Sequence, residues 1–174
     1  MELIKFLDEN KLWKETKTYK RNEFIKRKNS VDTNLYFVVE GSLRVFILYE
    51  DEEKVIRFGY KNSLITALDS FLTGEPSLFN IQVIKKTIVK VISKDTFDQL
   101  LKVHSFINDI WIKNLELLAL QQIEREIDIL TNSPKERYLR VLKRSPNLFQ
   151  EIPNKHIASY LRMSPETLSR MKKH

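Results

Sequence analysis

Apolar positions along the chain change period twice. In residues 2–13, Leu3, Ile4, Phe6, Leu7 and Leu12 fall at helical spacing, which predicts a short N-terminal helix. From Thr16 to about Val91 the pattern becomes short β-branched and aromatic runs: Leu35–Val39, Leu43–Tyr49, Lys54–Phe58 and Thr87–Ile92. Polar and turn residues separate them at Glu40–Ser42, Glu50–Glu53 and Gly74–Pro76, which predicts antiparallel strands in a sandwich or barrel. Gly41 suits a tight hairpin there, because positive φ is cheap for glycine.

Helical spacing returns at Ser93–Leu101, a short capped helix, and then over Ser105–Leu130. In the long segment Leu117, Leu120, Ile123, Ile127 and Leu130 recur at three- and four-residue intervals, with Ile107, Ile110 and Trp111 extending the face. Such a stripe needs a partner. It either packs on the chain's own β region or forms the seam of a homodimer, and the two-fold dimer is the favoured reading. Asn132-Ser-Pro134 interrupts the helix and starts another, with Ser133 as N-cap, Pro134 in the first turn and Glu136 at capping-box spacing. Three units follow: residues 1–104, mainly β; 105–131, the long helix; and 132–174, all helical. The fold class is α+β.

Charge sharpens that division. The chain of 174 residues carries a net +7. Residues 132–174 hold ten Lys/Arg against three Glu, so the whole excess lies there, while residues 1–131 hold twenty of each sign. A basic module of this kind attracts polyanions, nucleic acid first among them, although a solvated basic face is the plainer alternative. There is no Cys, which excludes disulfides and thiolate metal sites. No apolar run approaches the ~20 residues of a membrane span, and Met1–Asn10 has no secretory-signal pattern, so a cytoplasmic location is expected.

Asn154–Lys172 reads as helix, tight turn, helix. Ile157, Ala158, Leu161, Leu168 and Met171 take the inward positions, and Met163 plugs the turn. Ser164 caps the second helix, with Pro165 at its first position. That is the form of a recognition helix, which offers its first turns to base edges in the major groove of double-stranded DNA. Glu166 can accept from the cytosine amine and Arg170 can fork onto guanine; four residues apart, they share a face and can buttress each other. Ser164, Thr167, Ser169, Lys172 and Lys173 are candidates for phosphate contacts.

Leu35-Tyr-Phe-Val-Val-Glu-Gly-Ser-Leu-Arg-Val-Phe46 and Ser164-x-Glu-Thr-Leu-x-Arg170, with the long helix between them, resemble the CRP/FNR family of bacterial regulators over nearly the whole chain. The resemblance implies an N-terminal antiparallel β-roll (a jelly-roll-like, cyclic-nucleotide-binding-like sensor) over 1–104, a dimerisation helix over 105–131 and a helix-turn-helix DNA-binding domain over 132–174. It implies a homodimer on a partly palindromic site that activates or represses transcription, with RNA polymerase as a further candidate partner. Glu166 and Arg170 match the family's base-reading positions; Ser164 and Thr167 match positions that face the backbone.

Three departures from the family pattern stand out. Ser77-Leu78 replaces the Arg-Ser/Thr of the phosphate-binding cassette, and Thr66-Ala67 replaces its Gly-Glu. A cyclic phosphate needs a cationic fork, and the nearby Lys85 and Lys86 lie on the wrong segment, so tight binding of cyclic AMP is not expected. Phe71, Ser77, Leu78 and Phe79 are candidates to line a pocket for another effector, with simple core packing as the alternative. Arg162 stands in the turn where glycine is usual, at a position that often requires a left-handed backbone costing about 1 kcal/mol. A wing hairpin is expected to be absent, since few residues follow the second helix.

An enzyme is the main different class. His104, His156 and His174 are not paired at metal-ligand spacing, and no H-E-x-x-H, G-x-S-x-G or Walker-type loop occurs. No cofactor is called for; a haem sensor would need an axial His in the β region, where there is none. His104 is expected to flank a helix and His156 to point out of the first motif helix. A ligand-sensing or protein-interaction scaffold that has lost DNA binding is the other alternative. A sensed signal would act by shifting the spacing of two recognition helices between two states.

Overall fold

The computed structural model describes residues 2–172. Helix α1 (Glu2–Glu9) precedes strands β1 (Glu15–Tyr19), β2 (Phe24–Lys26), β3 (Leu35–Tyr49), β4 (Glu52–Tyr60) and β5 (Leu64–Ile65). A short helix α2 (Leu68–Thr73) leads into β6 (Asn80–Ile92). The rest is helical: α3 (Lys94–Val103), α4 (Ser105–Leu130), α5 (Pro134–Arg144), α6 (Leu148–Glu151), α7 (Asn154–Tyr160) and α8 (Pro165–Lys172). The class is α+β, with the antiparallel sheet first and the helices after it.

The six strands form one antiparallel sheet, in the order β1-β6-β3-β4, with β2 also paired to β6 and β5 to β3. The β3–β4 hairpin turns at Glu50 and Asp51, both left-handed (φ 49° and 60°), as a two-residue turn requires. Gly41 is a correction to the sequence reading. No hairpin forms there: β3 runs unbroken from Leu35 to Tyr49, and its register against β6 slips at Val38–Leu43. The glycine keeps its positive φ (+94°), but the cause is a bulge pressed onto β6. A Cβ there would lie 2.4 Å from the Lys86 carbonyl oxygen and the Thr87 hydroxyl, so only glycine fits. Pairing with β6, more than 40 residues away, overrides the local turn signal.

Three apolar clusters follow from this chain path. One fills the roll between sheet faces, around Val38, Leu43, Ile81 and Val89. A second packs α1, α3 and the start of α4 under the roll, around Leu7, Phe97 and Ile107. The third joins α5–α8 to the outer face of the sheet, where Phe58, Tyr60 and Ile84 meet Tyr138, Leu148 and Ile157. The caps predicted from sequence form: Ser93 Oγ accepts from the Thr96 amide at 3.2 Å and Ser133 Oγ from the Glu136 amide at 3.3 Å.

The long helix does not present one continuous face. Ile107 is fully buried, and Trp111 packs edge-on to Phe97 with centroids 5.2 Å apart. Further along, Leu117, Leu120, Ile123, Ile127 and Leu130 are 40–72% exposed. Its first turns belong to the roll's core, and its later stripe is uncovered.

Candidate nucleic-acid interface

The helical pair is built as its sequence directs. Ile157, Ala158, Leu161 and Leu168 are buried, and Ala158 lets α7 and α8 approach. Helix α7 ends in a left-handed cap at Arg162 (φ 52°): the Met163 amide donates to the Ala158 carbonyl at 3.0 Å and the Arg162 amide to the Ser159 carbonyl at 3.2 Å. The left-handed turn is therefore kept with arginine in the usual glycine position. Ser164 Oγ then accepts from the Thr167 amide at 3.1 Å and fixes the start of α8.

Ser164, Glu166, Ser169, Arg170 and Lys172 are exposed on α8, with Thr167 half-buried. Glu166 and Arg170 share a face but make no ion pair. Arg170 Nη2 instead donates to Thr167 Oγ1 at 3.4 Å. The Glu166 carboxylate is held below its usual range by its own backbone amide and by the Ser164 hydroxyl. It is thus ionised and acceptor-only at neutral pH. Lys172 Nζ donates to Asn154 Oδ1 at 2.5 Å, which ties the end of α8 to the start of α7. Lys173 lies outside the described residues, as does His174.

The outer side of α7 faces the sheet, and here one expectation is overturned. His156 does not point to solvent. It is buried, with Nδ1 3.5 Å from Arg44 Nη1, because α7 docks on β4 and covers it. Burial, then the charges of Arg44 and Lys155, push its pKa down to about 4, against a smaller opposing effect of Glu53. Arg44 itself is buried, forked onto Glu53 (2.5 and 2.7 Å), and it also donates to Gln82 Oε1. Ser159 Oγ donates to the Glu53 carbonyl at 3.0 Å, and Lys85 pairs with Glu151 at 3.0 Å.

A second set of charges ties α5 to the long helix. Asp128, fully buried on α4, is clasped by Arg140 Nε at 3.0 Å and Arg144 Nη2 at 2.5 Å, and Glu124 joins both arginines. Arg125 lies with its guanidinium 3.9 Å over the Tyr160 ring. None of Arg44, Glu53, Arg125, Asp128 or Tyr160 was singled out from sequence. A charge inside the apolar run Leu43–Phe46, and an Arg and Asp three apart on the side of α4 away from its stripe, were the available signals.

At the positions matching the nucleotide cassette, Thr66 Oγ1 donates to the Asn34 carbonyl, Ala67 is buried, and Ser77 Oγ accepts from the Phe79 amide at 3.0 Å. The nearby buried cation is Lys26, whose Nζ donates to the carbonyls of Arg27, Ser77 and Phe79 at 2.8–3.3 Å. Phe71 packs between Phe97 and Trp111, Leu78 is 69% exposed, and Phe79 lies against the roll's core. None of Phe71, Ser77, Leu78 and Phe79 lines the cavity of about 420 Å³ between β4, α4 and the helical pair, which Thr66 lines together with Arg57, Arg125 and Tyr160. Among the described residues no cluster of His and acidic side chains could hold a metal, and no helix is long and apolar enough to cross a membrane.

Comparison with known proteins agrees with this architecture. The cyclic nucleotide-binding domain family matches residues 16–104. No curated protein matches at sequence level. Among solved structures, the chain is similar to a mutant of CooA from Carboxydothermus hydrogenoformans (TM-score 0.76, 15% identity, covering 98% of this chain and 82% of that one). FixK2 from Bradyrhizobium japonicum gives 0.75 at 16% identity, over 91% and 82% of the two chains. A cyclic nucleotide-binding domain containing protein from Listeria monocytogenes EGD-e gives 0.71 at 19%, over 99% and 87%. The roll, the long helix and the helical pair thus follow one another as in these proteins, and the chain belongs to the cyclic nucleotide-binding domain family, in the CRP/FNR arrangement.

Proposed function

We propose that the chain is a sequence-specific, DNA-binding transcription regulator that acts as a homodimer on a palindromic site. The observation that carries this reading is α8: a serine-capped helix of a tight pair, turned away from the sheet, with Glu166, Ser169 and Arg170 exposed along it. Arg170 reads guanine as a fork, Glu166 accepts from cytosine, and Ser164, Thr167, Ser169, Lys172 and Lys173 meet phosphates. The uncovered stripe of α4 supports the dimer, because it matches a second copy of itself across a two-fold axis. The protein acts in the cytoplasm, with RNA polymerase as its functional partner.

The roll does not hold a cyclic nucleotide by the family's phosphate grip. Ser77 and Leu78 offer no cationic fork, and Lys26 is spent on three carbonyls, which supports this reading. The test is selection from a randomised duplex pool at two salt concentrations, with Arg170→Ala in parallel. Enrichment of a palindrome, weakened by salt and reduced about 10- to 100-fold in the variant, is expected. Equal, unselective binding by both proteins would sink the reading.

A further inference from the structure

The turn between α7 and α8 runs through Leu161, Arg162 and Met163. Leu161 is fully buried, and Met163 packs against the apolar cluster of the helical pair. Arg162 does neither. It is exposed, and its backbone is left-handed (φ 52°), a conformation that glycine takes at a helix end without strain and a long side chain does not. Its amide closes the cap on the Ser159 carbonyl at 3.2 Å, a bond that any residue except proline supplies.

The side chain of Arg162 returns nothing to the fold. It takes no hydrogen bond or ion pair among the described residues. Its charge also works against a neighbour: Arg125, held below the usual arginine range first by burial, is pushed further down by the positive charge of Arg162. Strained backbone positions of this kind cluster where a residue has a task outside the fold. The surroundings define the task. Two residues on, Ser164 caps α8, and Glu166 follows on the exposed face. The hydroxyls placed for phosphate at this end, Ser164 and Thr167, are neutral and lie 3.2 Å from each other. At the far end, Lys172 is tied to Asn154 at 2.5 Å. Arg162 is the unspent cation beside the first turn of α8.

We infer, on the reading of α8 as a recognition helix, that Arg162 is a phosphate anchor whose guanidinium grips the DNA backbone beside the bases read by Glu166 and Arg170. A recognition helix enters the groove by its first turns, so the strand passing its start lies within reach of a long side chain two residues before the cap. An arginine neutralises a phosphate and releases a counter-ion, which a serine hydroxyl does not do. The contact adds affinity and salt dependence and carries no sequence information. Glycine at this position relieves the backbone and loses the contact, so stability and affinity move in opposite directions.

The test uses the full chain, its Arg162→Gly and Arg162→Lys variants, and two DNAs: the palindrome enriched from the random pool and mixed-sequence duplex. Arg162→Gly should melt no lower than the wild type. Its affinity should fall about 3- to 10-fold on both DNAs alike, with the ratio between them unchanged. Its plot of log affinity against log salt should be flatter by about 0.9 per chain. Arg162→Lys should recover most of the affinity and the slope, because an ammonium also neutralises a phosphate. Arg170→Ala, by contrast, should lose the palindrome's advantage over mixed DNA. Unchanged affinity and slope in Arg162→Gly, while the wild type still selects a palindrome, would overturn the inference and leave the regulator reading standing. A lowered Tm in Arg162→Gly would overturn it too, since the side chain would then serve the fold. A wild type that enriches no palindrome removes the regulator reading, and the slope on mixed DNA then decides Arg162 alone. Absence of any DNA binding overturns both.

Discussion

The two halves of α4 obey opposite rules. The first buries apolar side chains: Ile107 is wholly enclosed, and Trp111 lies between Phe71 and Phe97. The second buries charge and exposes hydrocarbon. Arg125 and Asp128 are inside, while Leu120, Ile123 and Leu130 are 54–72% exposed. Charged residues are rarely enclosed unless paired, and contiguous exposed apolar surface marks an interaction site. A single helix thus joins three things. Its first turns anchor it to the roll, its charged side holds α5 and Tyr160 of α7, and its apolar side is uncovered, as the proposed homodimer requires.

The contrast breaks most visibly at the stripe. Leu120→Glu with Ile123→Glu should convert the dimer to folded monomers in analytical ultracentrifugation. Affinity for a palindrome should fall on the order of 100-fold or more, because the second half-site no longer benefits from tethering. A dimer that survives both charges would move the interface elsewhere. In the first half, Ile107→Ala should cost about 2–5 kcal/mol of unfolding free energy in urea, since it leaves a void in a closed cluster, and it should leave the dimer seam unchanged.

On the docked side, acid sharpens the picture. The folded-state pKa of His156 is near 4, below its usual 6.5, so the unfolded or undocked chain binds more protons between those values. Stability from this residue is full above about pH 6.5 and falls as pH drops toward 4, by on the order of 3 kcal/mol. His156→Asn should flatten that limb of a pH titration followed by amide exchange in α7. The smallest change is Asp128→Asn. It removes the charge shared by Arg140 and Arg144, which are themselves partly solvated, and should cost about 2 kcal/mol. Faster exchange in α5–α8 but not in α3 would place the loss at the joint.

Local signals were legible in the sequence and distant ones were not. Ser93, Ser133 and Ser164 cap their helices because a hydroxyl and an amide two or three residues on need no help from the fold. Arg162 takes the left-handed cap that the turn imposes. Gly41 had the right residue and the wrong cause: the strand partner that demands a bulge is β6, far along the chain. The stripe on α4 read as one face because period alone does not reveal where the roll ends beneath the helix. His156 read as exposed because docking of α7 on β4 leaves no mark in the helix's own pattern. The cavity between Arg57 and Arg125 joins residues from separate elements, so spacing along the chain says nothing of it.

The clasp on Asp128 also sets a ruler. With α4 and α5 locked through two arginines and a fully enclosed carboxylate, the last turns of the long helix are held against α5, on which α8 packs. In a dimer seamed along the stripe, the distance and twist between the two α8 helices are then set by a rigid joint, and a flexible tether plays no part. One base pair added between half-sites moves them about 3.4 Å apart and rotates them by about a tenth of a turn. In the proposed dimer a stiff pair of readers would not follow that rotation, so spacing between half-sites would be as selective as their sequence.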